Sequence, residues 1–175
     1  NVETGVWTSP ASHISGAIDS YYEYLLKGAI LFDDAQLRGM YDVSIAAVNR
    51  YLADERDGAL WYGHADMDSG VRTRTHYGAL DAFMPGMLAL GGDLPRAQCL
   101  QASNHRMWTH FGIEPERFDY ATMAVVDAGY PLRPEIIESA YYLWLYTKDP
   151  KYRAMGEEYL ASLVRYCRVD SGDAA

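Results

Sequence analysis

The sequence predicts an all-α fold, an (α/α) toroid of helical hairpins with a small β-hairpin in one of the loops between hairpins. The main observation is a pattern of apolar residue, carboxylate, small residue and aromatic residue that occurs three times. Its carboxylates, Asp19, Asp81 and Glu138, lie 62 and 57 residues apart. Common helical solenoids repeat at roughly 34 to 47 residues with short linkers, so this longer period favours a ring of concentric helices.

Each copy of the pattern begins an apolar stretch, and a stretch that is apolar around most of its circumference predicts a buried inner helix. The three inner helices are predicted at 17–32, 79–91 and 135–147. Pro85 is expected to kink the second inner helix or to delay its start, because proline lacks the N–H of the helical hydrogen bond.

Each inner helix is followed by a short break and an amphipathic outer helix. The outer helices are predicted at 35–53, 94–111 and 151–167. An aspartate stands directly before or near each start, where its carboxylate is suited to accept the free N–H groups of the first turn. Three hairpins are fewer than a closed ring requires, so residues 1–175 are expected to form the central part of one larger domain.

The loops between hairpins, 54–78 and 112–134, are long. Loops of this length in a compact domain are usually functional. Both lie at the end of the hairpins where the inner helices begin. The first loop contains runs 60–66 and 71–76 around Asp68-Ser69-Gly70, which predict the β-hairpin.

The composition excludes several classes of protein. With 15 Lys+Arg against 24 Asp+Glu, the formal charge is −9, which argues against a nucleic-acid partner. No apolar run approaches the ~18 residues of a membrane-spanning helix, and two cysteines exclude a disulfide scaffold. The 15 tyrosines favour a tyrosine-rich core over a sugar-binding or interface surface.

The carboxylates at the starts of the inner helices are the main candidates for a site, because acid–base catalysis needs two carboxyl groups across a cleft. Glu135 and Glu138 share one helix face, and Asp19 and Glu23 share another. An acidic residue near a helix N-terminus is also favoured by the helix dipole alone, by ~0.3–1 kcal/mol. The recurrence in three repeats beneath long loops favours a functional group.

Arg133-Pro134-Glu135 is the second candidate. Pro134 suits the first turn of the third inner helix. Arg133 is expected either to pair with a neighbouring carboxylate or to bind a hydroxylated ligand. The sequence alone leaves both alternatives open.

Three segments carry a resemblance to a known family. Residues 18–27, IDSYYEYLLK, and 130–139, YPLRPEIIES, are similar to motifs of glycoside hydrolase family 47, the class I α-1,2-mannosidases. Residues 83–91, FMPGMLALG, resemble the motif that lies between those two, and the order and spacing agree. Ala79 stands where the Golgi and ER trimming enzymes usually have His, which is nearer the ER degradation-enhancing mannosidase-like branch or a bacterial relative.

The resemblance implies a seven-hairpin (α/α) barrel that trims α-1,2-linked mannose from N-glycans with inversion. It implies that Glu135 is the base that activates water and that Asp19 is a second catalytic carboxylate, acting through water in the acid role. The residues implied to line the sugar subsite are Glu23, Phe83, Arg133, Pro134 and Glu138.

The resemblance also implies a Ca²⁺ ion whose threonine ligand belongs to a motif beyond residue 175, so no metal ligand is expected in this segment. The family's other acid is expected before residue 1. The implied partners are a mannose-containing oligosaccharide or glycoprotein glycan and the rest of the same catalytic domain, with no nucleic acid. The implied location is extracytoplasmic, either the secretory pathway or the bacterial periplasm or medium.

Two other functions stay open on the sequence. One is a lectin-like quality-control protein that keeps the glycan pocket and has lost useful catalysis. The other is a helical scaffold that binds another protein, which the recurrent carboxylates disfavour.

Overall fold

The computed structural model describes residues 1–173 and contains three helical hairpins joined by loops with short strands. The six α-helices are α1 Asp19–Phe32, α2 Ala35–Tyr51, α3 Met84–Leu90, α4 Leu94–Phe111, α5 Glu135–Thr147 and α6 Pro150–Tyr166. In each hairpin the inner helix packs against the outer helix that follows it, α1 on α2, α3 on α4 and α5 on α6. The predicted helices and their pairing are therefore confirmed.

Aspartate side chains start the outer helices, as predicted. Asp34 accepts hydrogen bonds from two N–H groups of the first turn of α2. Asp93 accepts one from Arg96 in α4, and Asp149 accepts one from Lys151 in α6. These caps fix the tight turns that bring each outer helix back along its inner helix.

The second inner helix starts late, as Pro85 predicts. Residues Ala79–Phe83 form a 3-10 helix, and α3 begins only at Met84, with Pro85 in its first turn. Ser139 of α5 bridges this junction, because its hydroxyl donates to the Ala82 carbonyl oxygen at 2.6 Å and accepts from the Gly86 N–H at 3.0 Å.

The loops contain more β-structure than the one predicted hairpin. The strands are β1 Ala11–Ser12, β2 Ala53–Arg56, β3 Ala59–Tyr62, β4 His64–Asp66, β5 Arg72–Arg74, β6 His76–Gly78, β7 Arg117–Asp119, β8 Ala124–Asp127, β9 Arg168–Val169 and β10 Gly172–Asp173. They form two three-stranded sheets, β1-β4-β5 and β6-β7-β8, and two two-stranded sheets, β2-β3 and β9-β10. All the pairs are antiparallel.

The predicted hairpin is confirmed only in its inner part. β4 pairs with β5 around a turn that Asp66 closes, since its Oδ1 accepts from the N–H groups of Asp68 and Ser69. Residues 60–62, expected in the same arm, belong instead to β3, which pairs with β2 at the end of α2. The prediction missed β2 because it extended the helix to residue 53.

Aromatic side chains from three strands and from the turn after β7 form the core beneath the long loops. The Trp61 ring stacks on Tyr120 with centroids 5.6 Å apart and meets Tyr77 and Phe118 edge to face, both at 5.3 Å. Six tyrosines are buried: Tyr41, Tyr62, Tyr77, Tyr120, Tyr152 and Tyr159. Packing therefore accounts for part of the tyrosine content, and this core holds β3, β6 and β7 in place.

The inner helices are not equally buried. α3 lies between α4 and α5 and is almost wholly buried, whereas α1 buries only Leu25, Leu26 and Ala29. The end of α1 exposes apolar side chains, with Leu31 75% and Phe32 72% accessible. The prediction of a buried inner helix is confirmed for α3. The first and third inner helices, α1 and α5, are only partly buried, because each has a neighbouring hairpin on one side only.

Candidate active site

Each inner helix begins with a carboxyl group at the same end of the molecule. Asp19 is the first residue of α1, Asp81 lies in the 3-10 helix before α3, and Glu135 is the first residue of α5. The charge of Asp19 raises the pKa values of both Asp81 and Glu135. Residues 62 and 116 positions apart in the sequence are therefore electrostatic neighbours.

Asp81 is the deepest of the three, with 2% of its surface accessible. Burial raises its pKa to about 7, and the charge of Asp19 adds to this, while Ser15 and the Gly78 N–H oppose it. The Gly78 N–H donates to Asp81 Oδ2 at 2.9 Å. Position 78 requires glycine, because a Cβ there would collide with the Glu116 carbonyl oxygen across the β6–β7 pair.

Glu135 is half-buried, and burial raises the pKa of its carboxyl group. The backbone N–H of Glu135 and the Arg133 guanidinium oppose this shift, and the charges of Glu138 and Asp19 add to it. Within residues 1–173, buried Oε2 of Glu135 has no hydrogen-bond partner. A carboxylate with a raised pKa and a free oxygen is suited to take a proton from water.

Arg133 pairs with a carboxylate, one of the two alternatives that the sequence left open. Its Nη2 and Nε donate to the two oxygens of Glu116 at 2.6 and 2.9 Å. Such a two-bond contact fixes the guanidinium plane. It therefore ties the end of the second long loop, directly before Glu135, to the beginning of the same loop.

Glu114, two residues earlier in that loop, is completely buried. Burial raises its pKa well above the usual range, the charges of Glu135 and Glu116 add to this, and Arg133 opposes it. Neither of its carboxyl oxygens has a hydrogen-bond partner in the part of the chain that the structure describes. A carboxyl group in this setting is held in its neutral form.

A narrow cleft brings together three more of the predicted site residues. Glu23 of α1, Phe83 of the 3-10 helix and Glu138 of α5 line it together with Lys27. Lys27 Nζ donates to Glu23 Oε1 at 2.7 Å. Burial alone lowers the pKa of Lys27, but the contact with Glu23 and the charge of Glu138 raise it overall.

The structure thus brings the predicted residues to one end of the hairpins, in two adjoining groups. Pro134 directly precedes α5 and is exposed, as is Glu138. Sequence reasoning missed Glu114 and Glu116. Two carboxylates two positions apart, on either side of Pro115 in a loop already predicted to be functional, are the pattern that points to them.

The donors present do not form a metal centre. Among the described residues, no group of three or more His, Cys, Asp or Glu side chains is arranged to hold a metal ion. Glu114 and Glu135, two carboxyl groups with raised pKa values, lie near Arg133, which is held in place, and such an arrangement is suited to proton transfer.

The helical hairpins gather carboxyl groups under their loops, and comparison with known sequences gives the family. The sequence profile described as "Glycosyl hydrolase family 47" matches residues 1–175. The chain belongs to this family.

Individual relatives agree with this assignment. The chain is 38% identical to Alpha-mannosidase I MNS4 of Arabidopsis thaliana over 93% of its length. It is 34% identical to human ER degradation-enhancing alpha-mannosidase-like protein 2 over 99% and to human Mannosyl-oligosaccharide 1,2-alpha-mannosidase IB over 98%. The aligned segment makes up only 26–30% of these relatives.

A solved structure has the same fold. The alpha-1,2-mannosidase from Trichoderma reesei superposes with a TM-score of 0.87 at 24% identity, over 97% of this chain and 41% of that one. The three hairpins therefore have the fold of the corresponding part of that protein. No helix within residues 1–173 has the length and hydropathy needed to cross a membrane.

Proposed function

We propose that the chain is the central part of the catalytic domain of an inverting exo-α-1,2-mannosidase. The observation that carries the proposal is the half-buried Glu135 with its raised pKa and free oxygen, beside Asp19 and an anchored arginine. Membership of family 47 and relatives named as α-mannosidases support the substrate class.

In this proposal Glu135 acts as the general base. Its carboxylate takes a proton from a water molecule, whose oxygen forms a bond to the anomeric carbon of the terminal mannose while the glycosidic C–O bond breaks. The leaving oxygen receives a proton from the acid side, where Asp19 acts through water. Attack from the face opposite the leaving group inverts the anomeric centre.

Arg133, Pro134, Glu138, Glu23 and Phe83 are proposed to line the subsite of the cleaved mannose. The Glu116 contact holds Arg133, and Lys27 holds Glu23. Phe83 presents a ring in the same cleft, and sugar rings bind well to an apolar face flanked by polar groups.

The fold of the complete domain, its substrate and its location are also proposals. We infer a single seven-hairpin (α/α) barrel, of which this segment supplies three hairpins, which fits the share of the relatives that it spans and the exposed apolar end of α1. We propose a mannose-containing glycan as the substrate and an extracytoplasmic location, which the relative named for ER degradation supports.

Calcium is proposed as the cofactor, bound by residues outside this segment. The described residues provide no arrangement of three or more ligands for it. No step assigned to this chain therefore passes through the ion.

The test is Glu135→Gln in the full-length protein, with Glu157→Gln on the exposed face of α6 as the matched control. Loss of the base is expected to lower mannose release by at least ~10²-fold, at the low end for a positioned general base, with a melting temperature no lower than that of wild type. Proton NMR of the wild-type reaction is expected to show β-mannose as the first product. Near-normal turnover of the Glu135 variant, or α-mannose first, contradicts the proposal.

The second candidate is a lectin-like glycan-binding protein. The similarity to a protein named ER degradation-enhancing alpha-mannosidase-like protein 2 favours it. The same full-length protein discriminates the two: glycan binding with no mannose released, at high protein concentration and with calcium present, selects the lectin-like function.

A further inference from the structure

Glu114 is a buried carboxyl group that the proposed mechanism does not use. None of its surface is accessible, and neither of its carboxyl oxygens has a hydrogen-bond partner among residues 1–173. A buried polar group without a partner destabilises the folded state. A leucine of similar size would avoid this cost, so the carboxyl group of Glu114 calls for a functional role.

An ion pair brings Glu114 and Glu135 to the same place in the fold. Glu116, two residues after Glu114, accepts two hydrogen bonds from Arg133, two residues before Glu135. Tyr130 fixes the same turn, because its hydroxyl group donates to the Arg133 carbonyl oxygen at 2.9 Å. The two carboxyl groups therefore lie on either side of this ion pair, each two residues away from it.

The electrostatic interactions agree with this placement. Burial raises the pKa of Glu114 well above its usual range, and among the charged groups Glu135 adds the most, followed by Glu116, while Arg133 opposes. Glu114 therefore keeps its proton while Glu135 is ionised. Further titratable groups facing Glu114 are tyrosines of neighbouring elements: Tyr77 in β6, Tyr130 in the loop and Tyr159 in α6. The other charges that act on Glu135 are those of Glu138 and Asp19.

The proton of Glu114 has one charged acceptor within reach of a bridging water. Oε2 of Glu135 is buried and has no hydrogen-bond partner in the described part of the chain, and a charged acceptor forms a stronger hydrogen bond than a neutral one. A buried water molecule typically makes about three hydrogen bonds to polar groups that lack other partners. Two oxygens of Glu114 and one of Glu135 match this requirement.

We propose that Glu114 is a positioning residue for Glu135, whose Oε2 receives a hydrogen bond from the neutral carboxyl group of Glu114 through one buried water molecule. This inference rests on the proposed function for the role of Glu135 as the base. The contact fixes the orientation of the Glu135 carboxylate and leaves its other oxygen for the attacking water. It also stabilises the ionised form, so Glu135 stays able to accept a proton at a lower pH than burial alone would allow.

The experiment measures kcat/KM of the full-length protein for α-1,2-mannobiose as a function of pH in wild type, Glu114→Gln and Glu114→Leu. Glutamine keeps the size and a hydrogen-bond donor, whereas leucine has no donor. In Glu114→Leu the acid limb of the profile is expected to move to higher pH by about one unit, a tenfold loss at a fixed pH on that limb, as for one hydrogen bond to a charged group. In Glu114→Gln the limb should stay near its wild-type position. Glu157→Leu, on the exposed face of α6, is the matched control and should keep the wild-type profile.

The melting temperature distinguishes positioning from a structural role. Glu114→Leu removes a buried group without partners, so it should melt no lower than wild type although its acid limb moves. A structural role predicts the reverse, a lower melting temperature with an unshifted limb. Glu114→Met replaces the leucine variant if that variant fails to fold. A wild-type acid limb in the folded apolar variant, or an equal shift in Glu114→Gln, overturns the proposal.

Infrared titration separates this inference from the proposed function. The carboxyl stretching band that disappears in Glu135→Gln reports the ionisation of Glu135 without any turnover. Its midpoint is expected to lie at higher pH in Glu114→Leu than in wild type, and this result supports the pairing even if the protein releases no mannose. An unchanged midpoint overturns the pairing, while Glu135 can still be the catalytic base.

Discussion

Asp81 shows at the scale of one residue how burial sets the chemistry of this site. Its carboxyl group lies beneath the β6–β7 pair, and its pKa rises from 3.8 to about 7. Each pKa unit corresponds to ~1.4 kcal/mol of difference between the two protonation states. At a pH between 3.8 and about 7, the carboxyl group of Asp81 keeps its proton in the folded protein and has released it in the unfolded chain.

This proton makes the stability depend on pH with a definite sign. The contribution of Asp81 is fully present below the ordinary pKa of aspartate, declines as the pH rises and is lost once the pH passes through about 7. Asp81→Asn removes the ionisation and keeps an oxygen that accepts from the Gly78 N–H. We therefore expect the variant to melt at a higher temperature than wild type at pH 8, by at most ~2 °C for each kcal/mol because the shift falls with chain size, and the difference to shrink toward pH 4.5.

The measurement is the melting temperature of the full-length protein from pH 4.5 to 8. Asp42→Asn on the exposed face of α2 is the control, and it is expected to follow the wild-type curve. Glu114 and Glu135 also have raised pKa values, so wild type and both variants lose stability with rising pH. Parallel curves for Asp81→Asn and wild type contradict the prediction.

At the scale of elements, the junction between the 3-10 helix and α3 depends on a side chain from another hairpin. Pro85 interrupts the helical hydrogen bonds there, and Ser139 of α5 supplies partners to the Ala82 carbonyl and the Gly86 N–H. A Cβ at residue 86 would lie 3.2 Å from Ser139 Oγ. Glycine thus lets α3 and α5 approach closely enough for this contact.

Ser139→Ala is expected to destabilise the protein. It leaves two buried backbone groups unpaired, at about 1–3 kcal/mol for each, and the melting temperature should fall accordingly. Thr109→Ala, which removes a hydroxyl from the exposed face of α4, should cost no more than ~0.5 kcal/mol. Equal melting temperatures for the two variants would show that the junction does not depend on Ser139.

At the scale of the whole molecule, the chain exposes apolar surface at the end of α1. Ile30, Leu31 and Phe32 form a continuous accessible run. Contiguous apolar surface of this kind marks a contact with other protein. In the proposed barrel, a neighbouring hairpin of the same domain covers it.

The 175-residue chain expressed alone is therefore expected to self-associate through the exposed end of α1. The full-length protein is expected not to associate through this surface, because a neighbouring hairpin covers it. Sedimentation velocity of the chain with and without Leu31→Gln measures the effect, because glutamine removes the apolar contact. Val2→Gln, at an even more accessible site in the amino-terminal turn, should not change the association. If the unsubstituted chain sediments as a monodisperse monomer, the end of α1 is not a surface that packs against a neighbouring hairpin.

Much of the fold was open to prediction because its determinants are local. The apolar period of each helix, the capping aspartates before the outer helices and the late start of α3 at Pro85 all depend on residues within about one helical turn. The strands outside β4–β5 escaped prediction, because two- to four-residue strands carry little periodic pattern and are held by distant partners.

The sequence by itself determined the hairpin repeat, the carboxylates at the inner-helix starts and the resemblance to family 47, since these are patterns along the chain. Only the tertiary structure decided that Asp81 is buried beside the charge of Asp19, that Arg133 pairs with Glu116 and that Glu114 lies near Glu135. These features join segments 17 to 62 residues apart, and burial and electrostatic neighbours arise only when those segments pack together.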